Sequence, residues 1–405
     1  MTSRHPGFLA IALAAGAVFA LGLGVRQSQA LFIGPINSST GLGYASVTLA
    51  FAVGQLMWGL GMPVAGAIAD RTGHRPVMLA GILLVAAATA AAPLAHSTAA
   101  LVVLIGILGA LGSAAMGPGL LMSAVARWIP DAKRNIATGI INAGGSFGQF
   151  TVIPLAQLFI GLAGWQPAMV LLGALSLGAI PLVLWVTRGH AEHAAAHPAA
   201  AGSLKAALAQ AVRDPSFLLL TAGFFTCGFH VAFIATHLPG VVASCGLPPA
   251  VSAWSLALIG LFNILGSLWI GRVITGRRMK LALAWIYLAR AAMILVFFFA
   301  PKTTLTFLVF AAGIGFSYLS TVPPTVGLVV KFYGVRYMAT LFGVVMLSHQ
   351  VGGFLGAYLG GKAFEASGRY DWMWWADAAL CILAALLHLP IREAKPVPVL
   401  ASAAA

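Results

Sequence analysis

Nine residues near the start of the chain, GVRQSQALF, place Arg26 and Gln29 inside an apolar run that reaches from Phe8 to Ile36. A guanidinium is permanently charged and presents five donors in a planar fork. The chemistry open to it there is the binding of a carboxylate or similar small anion through charge-assisted, bidentate bonds. Helical spacing puts Gly22, Arg26 and Gln29 on one side. Histidines interrupt other apolar stretches. Thr226, His230 and His237 share a helical face, and His349 lies on the side of Gly352, Gly356 and Gly360. Imidazole titrates near neutrality, so His230, His237 and His349 are candidates for carrying a proton, and His230 and His349 for completing a polar binding site. A neutral packing role against a backbone carbonyl stays open for each histidine. Asn142, Ser146 and Gln149 form a further stripe, for which hydrogen bonding between helices is the preferred single reading. Asn263, and Tyr318 beside Thr321 and Thr325, complete the candidate lining. Arg290, among Leu283, Ile286, Tyr287, Ile294 and Phe297, reads as a structural contact to carbonyls or a buried ion.

The acids are few: Asp70, Asp131, Glu192, Asp214, Glu365, Asp371, Asp377 and Glu393. None falls in the middle of an apolar stretch that carries Arg26, the histidines or Asn263. Asp377 is expected near the outer end of a peripheral helix. A polar site with arginine and histidine but no carboxylate carries a positive potential suited to an anion. Enzyme chemistry is poorly served, with no phosphate-binding loop, no H-E-x-x-H metal motif and too few acids for paired-carboxylate work. No cofactor or metal is expected. Cys227, Cys245 and Cys381 lie far apart in apolar sequence and read as buried free thiols.

These side chains must be positioned by membrane-spanning helices. Of 405 residues 60% are hydrophobic and 7% charged, which excludes a soluble globular chain. About 20 apolar residues cross the hydrocarbon core, and breaks at polar and Pro/Gly clusters give twelve spans: 8–37, 44–69, 76–95, 99–127, 135–160, 165–187, 215–240, 250–273, 280–300, 304–331, 337–363 and 371–390. The first is too long for a signal peptide and has eleven more behind it. The fold class is an all-α integral membrane protein, divided into six-helix bundles at 1–187 and 215–405 by a cytoplasmic linker at 188–214. The alanine-rich part of the linker after Ser203 has the pattern of a short surface helix. His190, His193 and His197 lack acidic or cysteine partners at metal spacing, and a solvated linker is the preferred reading.

Of the 22 lysines and arginines, Lys302, Lys362 and Arg369 fall in loops on one side, Arg26 and Arg290 fall within spans, and the rest fall on the other side. Loops rich in basic residues stay cytoplasmic, so both termini are expected there. The net charge of +14 is then a topology signal, and no single aqueous surface gathers it for nucleic acid.

After the second span comes GAIADRTGHRP, in which Gly66, Asp70, Arg71, Gly73 and Arg75 stand in the order G-x-x-x-D-R-x-G-x-R. This resembles the loop signature of the major facilitator superfamily, whose transporters have twelve helices in two pseudo-symmetric bundles. Half a chain later Gly271 and Thr275 repeat the spacing without the acid, followed by Arg277, Arg278 and Lys280. The stretch RWIPDAKRNIATGIINAGGSFG, from Arg127 to Gly148, resembles the monocarboxylate and oxalate/formate branch. The resemblance implies that helices 1, 4, 7 and 10 line a central cavity, which would bring Arg26 to it. It implies a gate latch of Gly66, Asp70, Arg71, Gly73, Arg75 and Arg127, and a His349 ladder where the two bundles meet. The implied function is secondary transport of a small organic anion, such as a monocarboxylate, across a bacterial inner membrane by alternating access. Coupling would be to protons or to a counter-anion, with the carrier acting as a monomer. Efflux of neutral or weakly hydrophobic compounds, and a non-transporting membrane sensor, are the alternatives.

Overall fold

The computed structural model describes residues 7–125, 128–130, 133–188, 204–274, 277–334 and 338–393. Inside hydrocarbon no water is available to a free N–H or C=O, so a spanning segment must satisfy its backbone internally. Accordingly, every regular element among the described residues is helical. The spans of the first half are α1 (Phe8–Thr40), α2 (Tyr44–Thr72), α3 (His74–Leu94), α4 (Thr98–Val125), α5 (Arg134–Ala163) and α6 (Trp165–Val186). Those of the second are α7 (Pro215–Ser244), α8 (Pro249–Val273), α9 (Met279–Phe299), α10 (Thr304–Tyr333), α11 (Met338–Ser367) and α12 (Asp371–His388). Eleven are long and apolar enough to cross a bilayer, and α12, whose two aspartates lower its hydropathy, packs along α9 as the twelfth. The short helix expected after Ser203 is Leu204–Ala211. His190, His193, His197, Arg127 and Thr275 lie outside the described residues.

The two halves repeat one packing scheme: α1 with α5, α2 with α4 and α3 with α6, then α7 with α11, α8 with α10 and α9 with α12. Apolar lipid gives no hydrophobic drive for these pairings, so close backbone approach through small residues must supply the attraction. A Cβ on Gly148 of α5 would overlap the Ala20 carbonyl of α1, and one on Gly144 would overlap Gly16. In the equivalent pair, Gly352 and Gly356 of α11 lie against the carbonyls of Phe225 and Phe229 of α7. The glycine ladder beside His349 therefore packs within its own half. This corrects the expectation that it forms the contact between bundles. The halves meet instead along α2 with α11 and along α5 with α8.

Helix α10 is broken between Ser317 and Val322. Pro323 and Pro324 open its second piece and have no N–H to return to the preceding turn. The Val322 N–H turns to the Leu319 carbonyl, leaving the Tyr318 carbonyl without its ordinary helical partner. Arg290 of α9, fully buried, answers this gap. Its Nη2 donates to the carbonyls of Ser317 and Tyr318, the latter at 2.7 Å, and its Nε lies 3.4 Å from the Ser317 hydroxyl. The Tyr287 ring stacks beneath it at 5.3 Å.

At the basic end of the second half, Glu393 accepts the Lys280 N–H at 2.7 Å and pairs with the Lys331 ammonium at 2.9 Å. The segment after α12 is thereby tied to the start of α9 and the end of α10. Burial alone would raise the Glu393 carboxyl, but the Lys280 amide and the Lys331 charge outweigh it and hold the group below the usual glutamate range.

Two outcomes are expected. Gly148→Ala must push α5 from α1, an overpacking cost of about 1–3 kcal/mol. Gly139→Ala, on the same helix with nothing near its Cβ position, should leave the melting temperature in detergent unchanged or higher. Because the folded-state pKa of Glu393 is depressed, its stabilisation is present above the unfolded value of about 4.3. It is lost as pH falls through the folded value. Thermal melts taken downward from pH 5 should therefore show a smaller acid loss in Glu393→Gln than in the parent.

Candidate polar site between the two halves

Arg26 lies on the last turn of the regular part of α1, just before a tight 3₁₀ turn at Gln29–Phe32. Pro35, which cannot donate to the Leu31 carbonyl, accounts for that tightening. The guanidinium is half-buried. Its Nη2 donates to Gln55 Oε1 of α2 at 2.8 Å, and its carbon sits 4.8 Å above the Trp58 ring. Among the described residues it has no carboxylate partner. A cavity of about 30 Å³ beside it is lined by Arg26, Gln29, Gln55, Phe51 and Ile105 and by Thr236 from the other half. That is room for one or two waters.

The contacts between halves are graded along the membrane normal. At one end the Tyr370 hydroxyl donates to the Tyr44 hydroxyl at 3.0 Å, and Thr48 lies against Gly361. Further along, Gln55 meets Gly353 and Gly59 meets Gln350. On the other seam, Gln149 Nε2 donates to the Leu256 carbonyl and Asn263 Nδ2 to the Ser146 hydroxyl, both at 2.9 Å. Beyond these levels, toward the end rich in lysine and arginine, Gly66, Gly343, Gly139 and Gly271 have nothing within 4 Å of a Cβ position. Among the described residues the halves are joined from one end to about the middle and stand apart toward the basic end. Arg26, bonded to Gln55, sits on the closed side of the last of these contacts, Gly59 with Gln350 and Asn263 with Ser146.

The other candidate residues distribute unevenly around this floor. Gln29 is buried and its Nε2 lies 3.3 Å from the Thr89 hydroxyl of α3. Asn142, one turn from Ser146 toward the open end, is exposed. Gln149 and Asn263 serve the seam, and the Asn263 Oδ1 also accepts the Leu319 N–H inside the α10 break at 3.0 Å. Tyr318 donates its hydroxyl to the Val231 carbonyl at 2.9 Å. His349 is buried against Phe224, its Nδ1 lying 3.3 Å from Gln350 Oε1.

His230 and His237 point elsewhere than their shared stripe implied. His230 Nδ1 lies 2.7 Å from Asp377 Oδ2 of α12, with both side chains fully buried, and Thr226 reaches the Leu380 carbonyl of α12 at 3.4 Å. Asp377, near the outer end of α12 as expected, is thus buried against α7, which corrects the expectation of a histidine cluster without a carboxylate. Cys381 stands 4.0 Å from the other Asp377 oxygen. These three side chains offer donor atoms within 4.8 Å of one another, but the His230 nitrogen and the Asp377 oxygen are already bonded through a shared proton. His237 Nε2 donates to the Ala357 carbonyl at 2.7 Å and is caged by Tyr44, Phe233 and Tyr370 at the closed end.

The acid of the expected latch is unengaged among the described residues. Asp70, Arg71 and Arg75 are exposed, and Asp70 makes no hydrogen bond or ion pair among the described residues. Gly73 ends α2 with φ +89°, a left-handed conformation that favours glycine.

Sequence reasoning missed Gln55, Trp58 and Gln350. Gln350 is buried with its Nε2 unpartnered beside Gly59. The available signal was a glutamine inside an apolar span, the same signal that drew attention to Gln29 and Gln149.

Comparison with known proteins agrees with this architecture. The family model of the Major Facilitator Superfamily matches residues 7–357. Monocarboxylate transporter 13 of Rattus norvegicus is 25% identical over 87% of this chain and 81% of its own length. An uncharacterized MFS-type transporter of Bacillus subtilis (strain 168), YcxA, is 23% identical over 87% of this chain and 88% of its own. The oxalate:formate antiporter of Oxalobacter formigenes is 27% identical over 59% of this chain and 57% of its own. With twelve paired helices, two repeated halves and a family match across most of its length, the chain belongs to the major facilitator superfamily of membrane transporters.

Proposed function

We propose that this transporter carries a small organic anion, in the first instance a monocarboxylate, by alternating access in a bacterial inner membrane with both termini cytoplasmic. The observation that carries the reading is Arg26. A charge within hydrocarbon is expensive and faces protein or water by default. Here it meets a neutral amide, an indole face and a small cavity between the halves instead of an acid. A carboxylate arriving from the cleft would supply the counter-charge, taking two guanidinium donors side by side with Trp58 stacked behind. The names of the monocarboxylate and oxalate:formate relatives favour the same substrate class. In the orientation set by the basic loops, the open end is the inward one.

Coupling to protons would run through His230 and Asp377. With His230 neutral, the Asp377 carboxylate balances Arg290, and both are fully buried in the same half. A proton added to the His230–Asp377 pair adds one positive charge to the buried interior of that half, which an anion bound at Arg26 would offset. Proton and anion then favour each other's binding, as reciprocal coupling requires. His349 and Gln350, between this cluster and the cleft, would close the polar lining, and Asp70 with Arg71 and Arg75 would engage when the basic end closes.

Two measurements in proteoliposomes test this. Arg26→Ala should lose roughly 10- to 100-fold in uptake of labelled lactate or oxalate, the range expected for deleting a charged hydrogen-bond partner. Arg26→Lys should retain part of the activity, and undiminished uptake by Arg26→Ala would remove the residue from the site. Asp377→Asn should lose accumulation driven by a pH gradient while still exchanging labelled for unlabelled anion. Accumulation that survives in the variant would remove Asp377 from the coupling, and a parent protein that exchanges anions but shows no accumulation driven by a pH gradient would leave anion exchange as the mode of transport.

A further inference from the structure

A cavity of about 1,090 Å³ lies away from the contact between the halves. It is a lateral groove in the second half, where α8, α9 and α10 diverge over the small residues Ala289, Ala312 and Gly313. Trp269 and Trp285 stand on its rim, 50% and 70% exposed. One end is lined by Arg277 and Arg278. Both arginines are exposed, and neither makes a hydrogen bond from its guanidinium or an ion pair among the described residues.

Three features identify an occupant. The groove is walled by one half only, so rocking of the halves does not alternate its exposure, and it opens toward lipid where an aqueous solute has no path. Along α9 its lining runs from Leu281 to Met293, a rise of about 18 Å, close to one leaflet of a hydrocarbon core about 30 Å thick. Its walls are apolar up to the level of the arginine pair, which lies where a headgroup phosphate would be. Tryptophans at this depth match the interfacial belt.

We propose that this groove binds an anionic phospholipid of the leaflet at the basic end, one acyl chain lying over Ala289 and Gly313 and the phosphate held by Arg277 and Arg278. Phe316 and Ser317 form part of the inner wall, so the chain would back onto the α10 break that Arg290 clamps. A bound lipid would stiffen the second half from behind without entering the transport path.

Full-length protein in detergent should be melted with phosphatidylglycerol, with phosphatidylcholine of the same chains, and with glycerol phosphate. Only phosphatidylglycerol is expected to raise the melting temperature strongly. The Arg277→Ala/Arg278→Ala double variant should bind it about 30-fold more weakly, at roughly 1 kcal/mol per basic residue near a lipid surface. Ala289→Trp, which fills the groove, should lose the stabilisation with both arginines intact. If that variant does not fold, native mass spectrometry of the parent and the double-arginine variant counts bound phosphatidylglycerol directly. Equal stabilisation by the two lipids, a preference that survives loss of both arginines, or an equal shift with glycerol phosphate would overturn the proposal. So would light scattering that shows a dimer dissolved by Ala289→Trp, since a second copy would then be the occupant.

Discussion

A guanidinium held in hydrocarbon must be compensated locally, and the molecule does this in two ways that divide structure from function. Arg290 is compensated permanently: the proline-induced break in α10 frees a carbonyl, and the arginine takes it together with a second carbonyl, a hydroxyl, a thiol and an aromatic face. Neither feature would be stable alone. An unsatisfied carbonyl in the bilayer and an unsolvated charge are each costly, and each removes the other's cost. Arg26 is compensated only in part, by one amide oxygen and one indole. That residual electrostatic demand is the ground on which an anion site is proposed at the middle of the molecule.

The two solutions are joined by a short chain of polar contacts. Asn263 reaches across the seam to Ser146 and, with its other amide atom, holds the Leu319 N–H next to the carbonyls that Arg290 clamps. Tyr318, at the start of the break, fixes its hydroxyl to α7. A shift of α8 against α5 therefore cannot leave the α10 break untouched. Rigid glycine-packed pairs, α1 with α5 and α7 with α11, are placed so that such a shift moves each half as a body. The α10 break provides a local place for adjustment.

Much of this was legible in the chain. Hydropathy gave the spans because lipid penalises polar residues so heavily. The G-x-x-x-D-R-x-G-x-R signature named the architecture. Individual side chains were harder to assign. A helical stripe tells which residues share a face but not which neighbour that face meets, so Gly352 and Gly356 were expected at the other bundle and His230 at the cavity. Both are turned inward to their own half. Asp377 illustrates the same limit: nothing local in α12 indicates that a histidine 147 positions earlier comes within bonding distance. Gln55 and Gln350 carry no charge to draw notice, although one holds the arginine and the other flanks the floor of the cleft.

The closed end is held lightly. Among the described residues the halves share three hydrogen bonds, one between tyrosine hydroxyls and two on the other seam, each of which contributes about 0.5–1.5 kcal/mol net. Parting them exposes aromatic rings and small side chains but no ion pair between the halves. The polar share of the contact is thus about 1.5–4.5 kcal/mol, and packing of α2 on α11 and of α5 on α8 supplies the rest.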